Sequence, residues 1–163
     1  MNQLDLFKLD PIKLKEGKEK CPCCKKLMRA YKKTLDRRLV DLAYEASEWM
    51  KSNKRQSFQI REVFEEHNKV NDFQKLKYFG IYRKVGRNNL WELTPRGYQF
   101  LFEGYSIPRF VWVFNSQVIL RDDEKINVGK IDPRWQENRS DYTFDYIPYN
   151  TPPFVTQIKE KLI

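Results

Sequence analysis

The chain has 163 residues, 40 % of them hydrophobic and 15 % aromatic, which is enough core for one domain with appendages or for two small domains. No apolar run approaches membrane-spanning length, and no secretory signal pattern is present, so a cytoplasmic protein without a membrane partner is expected. The net charge of +9 is uneven: residues 21–57 hold ten basic and four acidic residues, whereas residues 105–163 hold eight of each. That concentration fits a phosphate-facing patch, although a solvated Lys-rich face would look the same on charge alone.

Residues 1–20 are expected to be a flexible tail, because the Lys8–Lys20 stretch has little apolar surface to offset its ordering entropy. At its start stands Gln3-Leu4-Asp5-Leu6-Phe7. This pentapeptide resembles the short motif by which bacterial replication and repair proteins hold the DNA sliding clamp. The resemblance implies that Gln3 hydrogen-bonds at a pocket rim while Leu4, Leu6 and Phe7 fill apolar pockets. The plain alternative is an edge strand or packing arm of the domain itself.

Residues 21–33 open on Cys21-Pro22-Cys23-Cys24, a Cys-x-x-Cys pair that forms half of a zinc knuckle. Cys21 and Cys24 are the candidate metal ligands. Two more are needed, and only Cys23 and the single His67 are on offer, so a structural zinc is short of donors and no other cofactor is expected. His67 reads as an exposed turn residue. Three clustered thiols suit a reducing compartment better than a disulfide framework. Lys25, Lys26, Arg29, Lys32, Lys33, Arg37 and Arg38 follow at once, as an extension of the first helix or an ordered basic arm suited to phosphate contact.

Residues 34–104 carry the regular pattern. Leu35, Leu39, Leu42, Ala43, Ala46, Trp49 and Met50 recur at helical spacing, with Thr34 as a possible cap and Ser52-Asn53 as the stop. Gln59–Glu66 predicts a second helix, and Asn71 or Asp72 a cap for a third that Gly80 ends. Ile81–Lys84 and Leu90–Leu93 then alternate as a hairpin around Val85–Asn89, and Thr94-Pro95 opens a fourth helix. The string Lys77–Ile81 followed by Trp91–Gly97 resembles the winged-helix superfamily, in which a helix ending in Gly leads into a hairpin wing and a Leu-Thr strand end precedes a Gly-containing helix. The resemblance implies an α+β chain with a three-helix core, a β-hairpin wing and a following helix. It also implies that Gln74, Lys75, Lys77 and Tyr78 on the third helix, and Arg83, Lys84, Arg87 and Asn88 on the wing, face duplex DNA. Gln74 is suited to an adenine edge and the cations to phosphates. Protein contact alone is the competing use of the same fold.

Residues 105–131 alternate as strands Arg109–Phe114 and Gln117–Arg121 about Asn115-Ser116, with a third strand expected in Lys125–Ile131. This small antiparallel sheet either extends the winged helix or forms a separate lobe. Residues 132–163 read as an aromatic, Pro-rich tail that wraps the domain or meets a partner.

An enzyme is not expected: one His, no Gly-rich phosphate loop and no nucleophile with a matching base leave no small-molecule chemistry to assign. The expected role is a DNA-binding adaptor tethered to the clamp, with an inhibitory interaction protein as the alternative. The arrangement also resembles phage and mobile-element proteins. The sequence fixes neither oligomeric state nor DNA preference.

Overall fold

The computed structural model describes residues 9–133, a mixed α+β chain that divides into two compact units. The clamp-like peptide Gln3–Phe7 and the aromatic tail from residue 134 onward lie outside the described residues. Among those described, no helix is long and apolar enough to cross a membrane.

The first unit comprises residues up to Thr34 together with Pro108–Glu124. It begins with helix α1 (Pro11–Glu16), which Asp10 caps through its side chain and Gly17 ends in a left-handed conformation at φ 71°. Strands β1 (Glu19–Lys20) and β2 (Leu27–Met28) pair as a hairpin carrying the cysteines at its tip. Strand β3 (Tyr31–Thr34) pairs with β8 (Phe110–Phe114), which pairs with β9 (Gln117–Arg121), in the order β3-β8-β9. Asn115 and Ser116 turn the last hairpin, both at positive φ, the backbone that a tight two-residue turn demands. Leu14, Ala30 and Trp112 form the buried centre, flanked by Leu9, Met28, Phe110, Phe114, Ile119 and Leu120.

One expectation changes here, and two open alternatives are decided. Residues 9–20 are not a bare tail, since Leu14 is fully buried and its carbonyl accepts the Ala30 N–H at 2.9 Å. Residues 25–33 are an ordered arm that contains β2 and most of β3 and not a helix extension, because β3 finds its ladder partner in Phe110–Phe114. The small sheet therefore belongs with the N-terminal segment, not with residues 34–104.

The second unit holds Leu35–Ile107 and, among the described residues, the segment 125–133. Helix α2 (Arg37–Ser52) starts at Asp36, whose carboxylate accepts the Leu39 N–H at 3.0 Å, and Asn53 closes it. The cap is not Thr34, which is engaged in β3. Strand β4 (Ser57–Gln59) was not expected from sequence; it leads into the single turn α3 (Ile60–Val63), which replaces the longer predicted second helix. Glu62 closes that turn onto the Gln59 N–H and Arg55, and these bonds hold its carboxyl below the usual carboxylate range. Helix α4 (His67–Phe73) runs on as a 3₁₀ helix (Gln74–Phe79) until Gly80.

Strands β5 (Tyr82–Val85) and β6 (Leu90–Leu93) form the hairpin, and β4 completes a sheet of order β4-β6-β5. Helix α5 (Pro95–Phe102) follows, capped by the Thr94 side chain on the Gly97 N–H at 2.9 Å. The chain passes through β7 (Ile107–Pro108) into the first unit and returns at β10 (Lys125–Ile126) and α6 (Val128–Ile131). The expected third strand thus stops after two residues, because Asn127 caps a helical turn through the Lys130 N–H.

Phe58, Phe64, Phe73, Tyr82 and Trp91 knit the centre of this unit, with Phe73 and Tyr82 rings 4.9 Å apart. Its buried hydroxyls are satisfied: Tyr82 donates to the Ala43 carbonyl at 2.8 Å and Tyr44 to that of Leu101 at 2.6 Å.

Candidate nucleic-acid interface

The hairpin β5–β6 projects cations because its alternation leaves little else to expose. Tyr82 is buried at its root, and the tip between Val85 and Leu90 carries Arg87 on polar, glycine-containing turn residues. Pairing of β6 with β4 on one side and β5 on the other gives the hairpin a three-stranded base. Lys84 and Arg87 are exposed, and neither makes an ion pair among the described residues. Arg83 differs: its guanidinium is bound by Glu92, the residue directly across the ladder.

Helix α4 and its 3₁₀ continuation present a second group. Lys77 is exposed, with its ammonium 5.1 Å from the Tyr78 ring, a cation–π contact that leaves the charge facing water. Gln74 and Tyr78 are half-buried. Lys75 is not free, because its ammonium lies 2.7 Å from the Asp72 carboxylate. The other oxygen of Asp72 is 3.2 Å from Arg38 on α2, so one largely buried carboxylate is shared by two cations and the trio keeps a net positive charge. Asp72 is therefore a helix-interior ion-pair residue, not the cap that the sequence suggested.

The remaining expected contacts lie on other elements. Lys32 and Lys33 lie on β3 in the other unit, where Lys32 stacks 3.8 Å over the Phe110 ring. Arg37 is exposed in the first turn of α2. Sequence reasoning missed Asn68 and Asn71, which α4 exposes two turns and one turn ahead of Lys75. Reading Asn71 as a cap hid them; the apolar spacing of Val70, Phe73 and Leu76 is the signal that extends the helix backward.

The cysteine pair sits on a separate loop. Backbone N–H groups of Cys24 and then Cys23 donate toward the Cys21 sulfur and hold its thiol below the ordinary value. No cluster of three or more His, Cys, Asp or Glu suited to a metal occurs among the described residues, so Cys21 and Cys24 find no third ligand there. His67 is engaged elsewhere, with Nδ1 3.5 Å from the Arg61 guanidinium. Comparison with known proteins adds nothing to this geometry: no protein-family model, curated protein or solved structure matches the chain.

Proposed function

We propose that this chain is a DNA-binding adaptor, with residues 35–104 acting as a winged helix on duplex DNA and Gln3, Leu4, Leu6 and Phe7 tethering it to the bacterial sliding clamp. The observation that carries the reading is the hairpin tip. Lys84 and Arg87 stand exposed and uncompensated on a braced hairpin that follows directly from a helix ending in Lys77 and Gly80. Such an array suits a phosphate backbone, which rewards positive charge held in a fixed register. The half-buried Gln74 and exposed Asn68 and Asn71 supply amide groups of the type that reads adenine edges. Two weak contacts joined through one chain reinforce each other by raising local concentration.

Anisotropy titrations with random-sequence duplex from about 50 to 200 mM salt test the DNA half of this reading: a steep fall in affinity is expected, by analogy with other phosphate-bound proteins. No binding at the lowest salt rejects it. Asp72→Asn should move two properties in opposite directions. Releasing Lys75 and Arg38 raises low-salt DNA affinity several-fold, while loss of the shared carboxylate charge costs about 1 kcal/mol of stability, since both cations are partly exposed. Weaker DNA binding by a folded Asp72→Asn protein would place this helix away from the DNA.

The tether rests on sequence alone and has its own measurement. Leu6→Ala with Phe7→Ala is expected to weaken binding to purified clamp at least tenfold, about 1.4 kcal/mol or more. Equal affinity of the double variant and the parent removes the tether. A second reading, an effector that occupies the clamp or another host complex without touching DNA, draws on the pairing of Lys75 with Asp72 and Arg83 with Glu92. Clamp binding with no salt-dependent DNA binding would select it.

A further inference from the structure

The tip of the β1–β2 hairpin is built as a chelating loop, yet it supplies only half a coordination sphere. Two backbone hydrogen bonds close it, from the Cys21 N–H to the Lys26 carbonyl and from the Lys25 N–H to the Cys21 carbonyl, each at 2.9 Å. Lys25 takes a left-handed conformation at φ 63°, which a lysine adopts only at some cost, in the turn that returns the chain from the cysteines to β2. The Cys-x-x-Cys spacing thus sits on a closed turn at the tip of a paired hairpin. Cys24 is exposed, and so is Leu27 just after the loop at 66 %.

A divalent zinc ion in a structural site takes four donors in a tetrahedron, with Zn–S near 2.3 Å. The chain cannot complete that set from its own thiols. Its cysteines number three, all in this loop, and its one histidine is bound to Arg61. Among the described residues no third donor accompanies the pair. We propose that Cys21 and Cys24 form one half of a zinc site whose other half is the same pair from a second copy of the chain, so that one ion joins two hairpins about a two-fold axis.

Three features favour a second copy as the source of the missing donors. Two identical dithiol loops satisfy a four-thiolate tetrahedron by a single symmetry operation, the commonest way for a soluble protein to self-associate. Four thiolates around a divalent ion leave a net charge of −2, and Lys20, Lys25 and Lys26, exposed and without ion pairs among the described residues, surround the loop with compensating charge in each copy. Exposed Leu27 next to the thiols offers apolar surface that pairing would cover. Cys23, between the two ligands, is left free of the ion.

The full-length chain, purified untagged under a phosphine reductant, should carry about one zinc per two chains and sediment as a dimer. Removing zinc with a strong chelator should return a folded monomer. Titration of the apo protein with Co²⁺ provides an independent count, because tetrahedral thiolate absorption should saturate at one ion per two chains. Cys21→Ser and Cys24→Ser should each abolish dimer and metal, whereas Cys23→Ser should keep both. One ion per chain on a monomer overturns the proposal, as does a dimer that survives chelation or a reduced protein that takes up neither zinc nor cobalt.

Discussion

Replacing Gly97 by alanine is expected to cost about 3 kcal/mol in chemical denaturation, the upper end for an overpacked site. Alanine elsewhere in a helix is favoured over glycine by about 1 kcal/mol, so helix propensity alone predicts the opposite sign. Geometry decides the matter. A Cβ on Gly97 would stand 2.1 Å from the Ile81 carbonyl oxygen and 2.8 Å from its carbon, and both are backbone atoms that no rotamer change can move. The close approach is fixed from the other side as well. The Thr94 N–H donates to the Ile81 carbonyl at 3.0 Å, and the Thr94 hydroxyl sits against the Gly80 and Ile81 carbonyls while accepting the Gly97 N–H. Helix α5 is thereby clamped onto the residue where the 3₁₀ helix becomes strand β5, which sets where the hairpin and its cations point. A loss below 1 kcal/mol would show that this clamp relaxes freely and does not hold the hairpin.

The Thr94 cap within that clamp was legible in the sequence, and the reason is local. The Leu93-Thr94-Pro95 start and the Gly at the third helical position are encoded within a few residues, and so are the Asn115-Ser116 turn and the stripe from Leu39 to Met50 on α2. What escaped is what depends on distant partners. Ser57–Gln59 has one buried side chain, Phe58, and reads as nothing until it meets Leu90–Glu92. Tyr31–Thr34 looks like a solvated basic arm, yet its lysines flank a ladder to Phe110–Phe114, and Lys32 spends its charge on an aromatic face. Leu14 seemed too isolated to order its neighbours because Trp112 lies far along the chain.

The candidate interface followed the same division. Exposure of Lys77, Lys84 and Arg87 could be read from periodicity, since it needs only the local helix or hairpin. The pairing of Lys75 with Asp72 is only three residues apart but was hidden by reading Asp72 as a cap, whereas the sharing of that carboxylate with Arg38 depends on a second helix. Asx residues favour caps when nothing competes for their oxygens; at Asp72 two cations compete and the helix continues through it.

The surviving cations make the most demanding prediction about function. A Lys77→Ala, Lys84→Ala, Arg87→Ala protein should lose about a hundredfold in duplex affinity at low salt, and the slope of log affinity against log salt should shrink by about 3, near 0.9 for each phosphate contact removed. None of the three makes an ion pair among the described residues, and all are exposed, so stability should change by less than about 0.5 kcal/mol and the loss cannot be blamed on unfolding. Lys75→Ala and Arg83→Ala serve as internal controls, because both side chains are already held in ion pairs, Lys75 by an Asp72 shared with Arg38 and Arg83 by Glu92; each should alter the slope by less than one unit. If the triple variant keeps the parent slope while the two controls reduce it, the phosphate-facing surface is the ion-paired one, and the hairpin tip points away from the DNA.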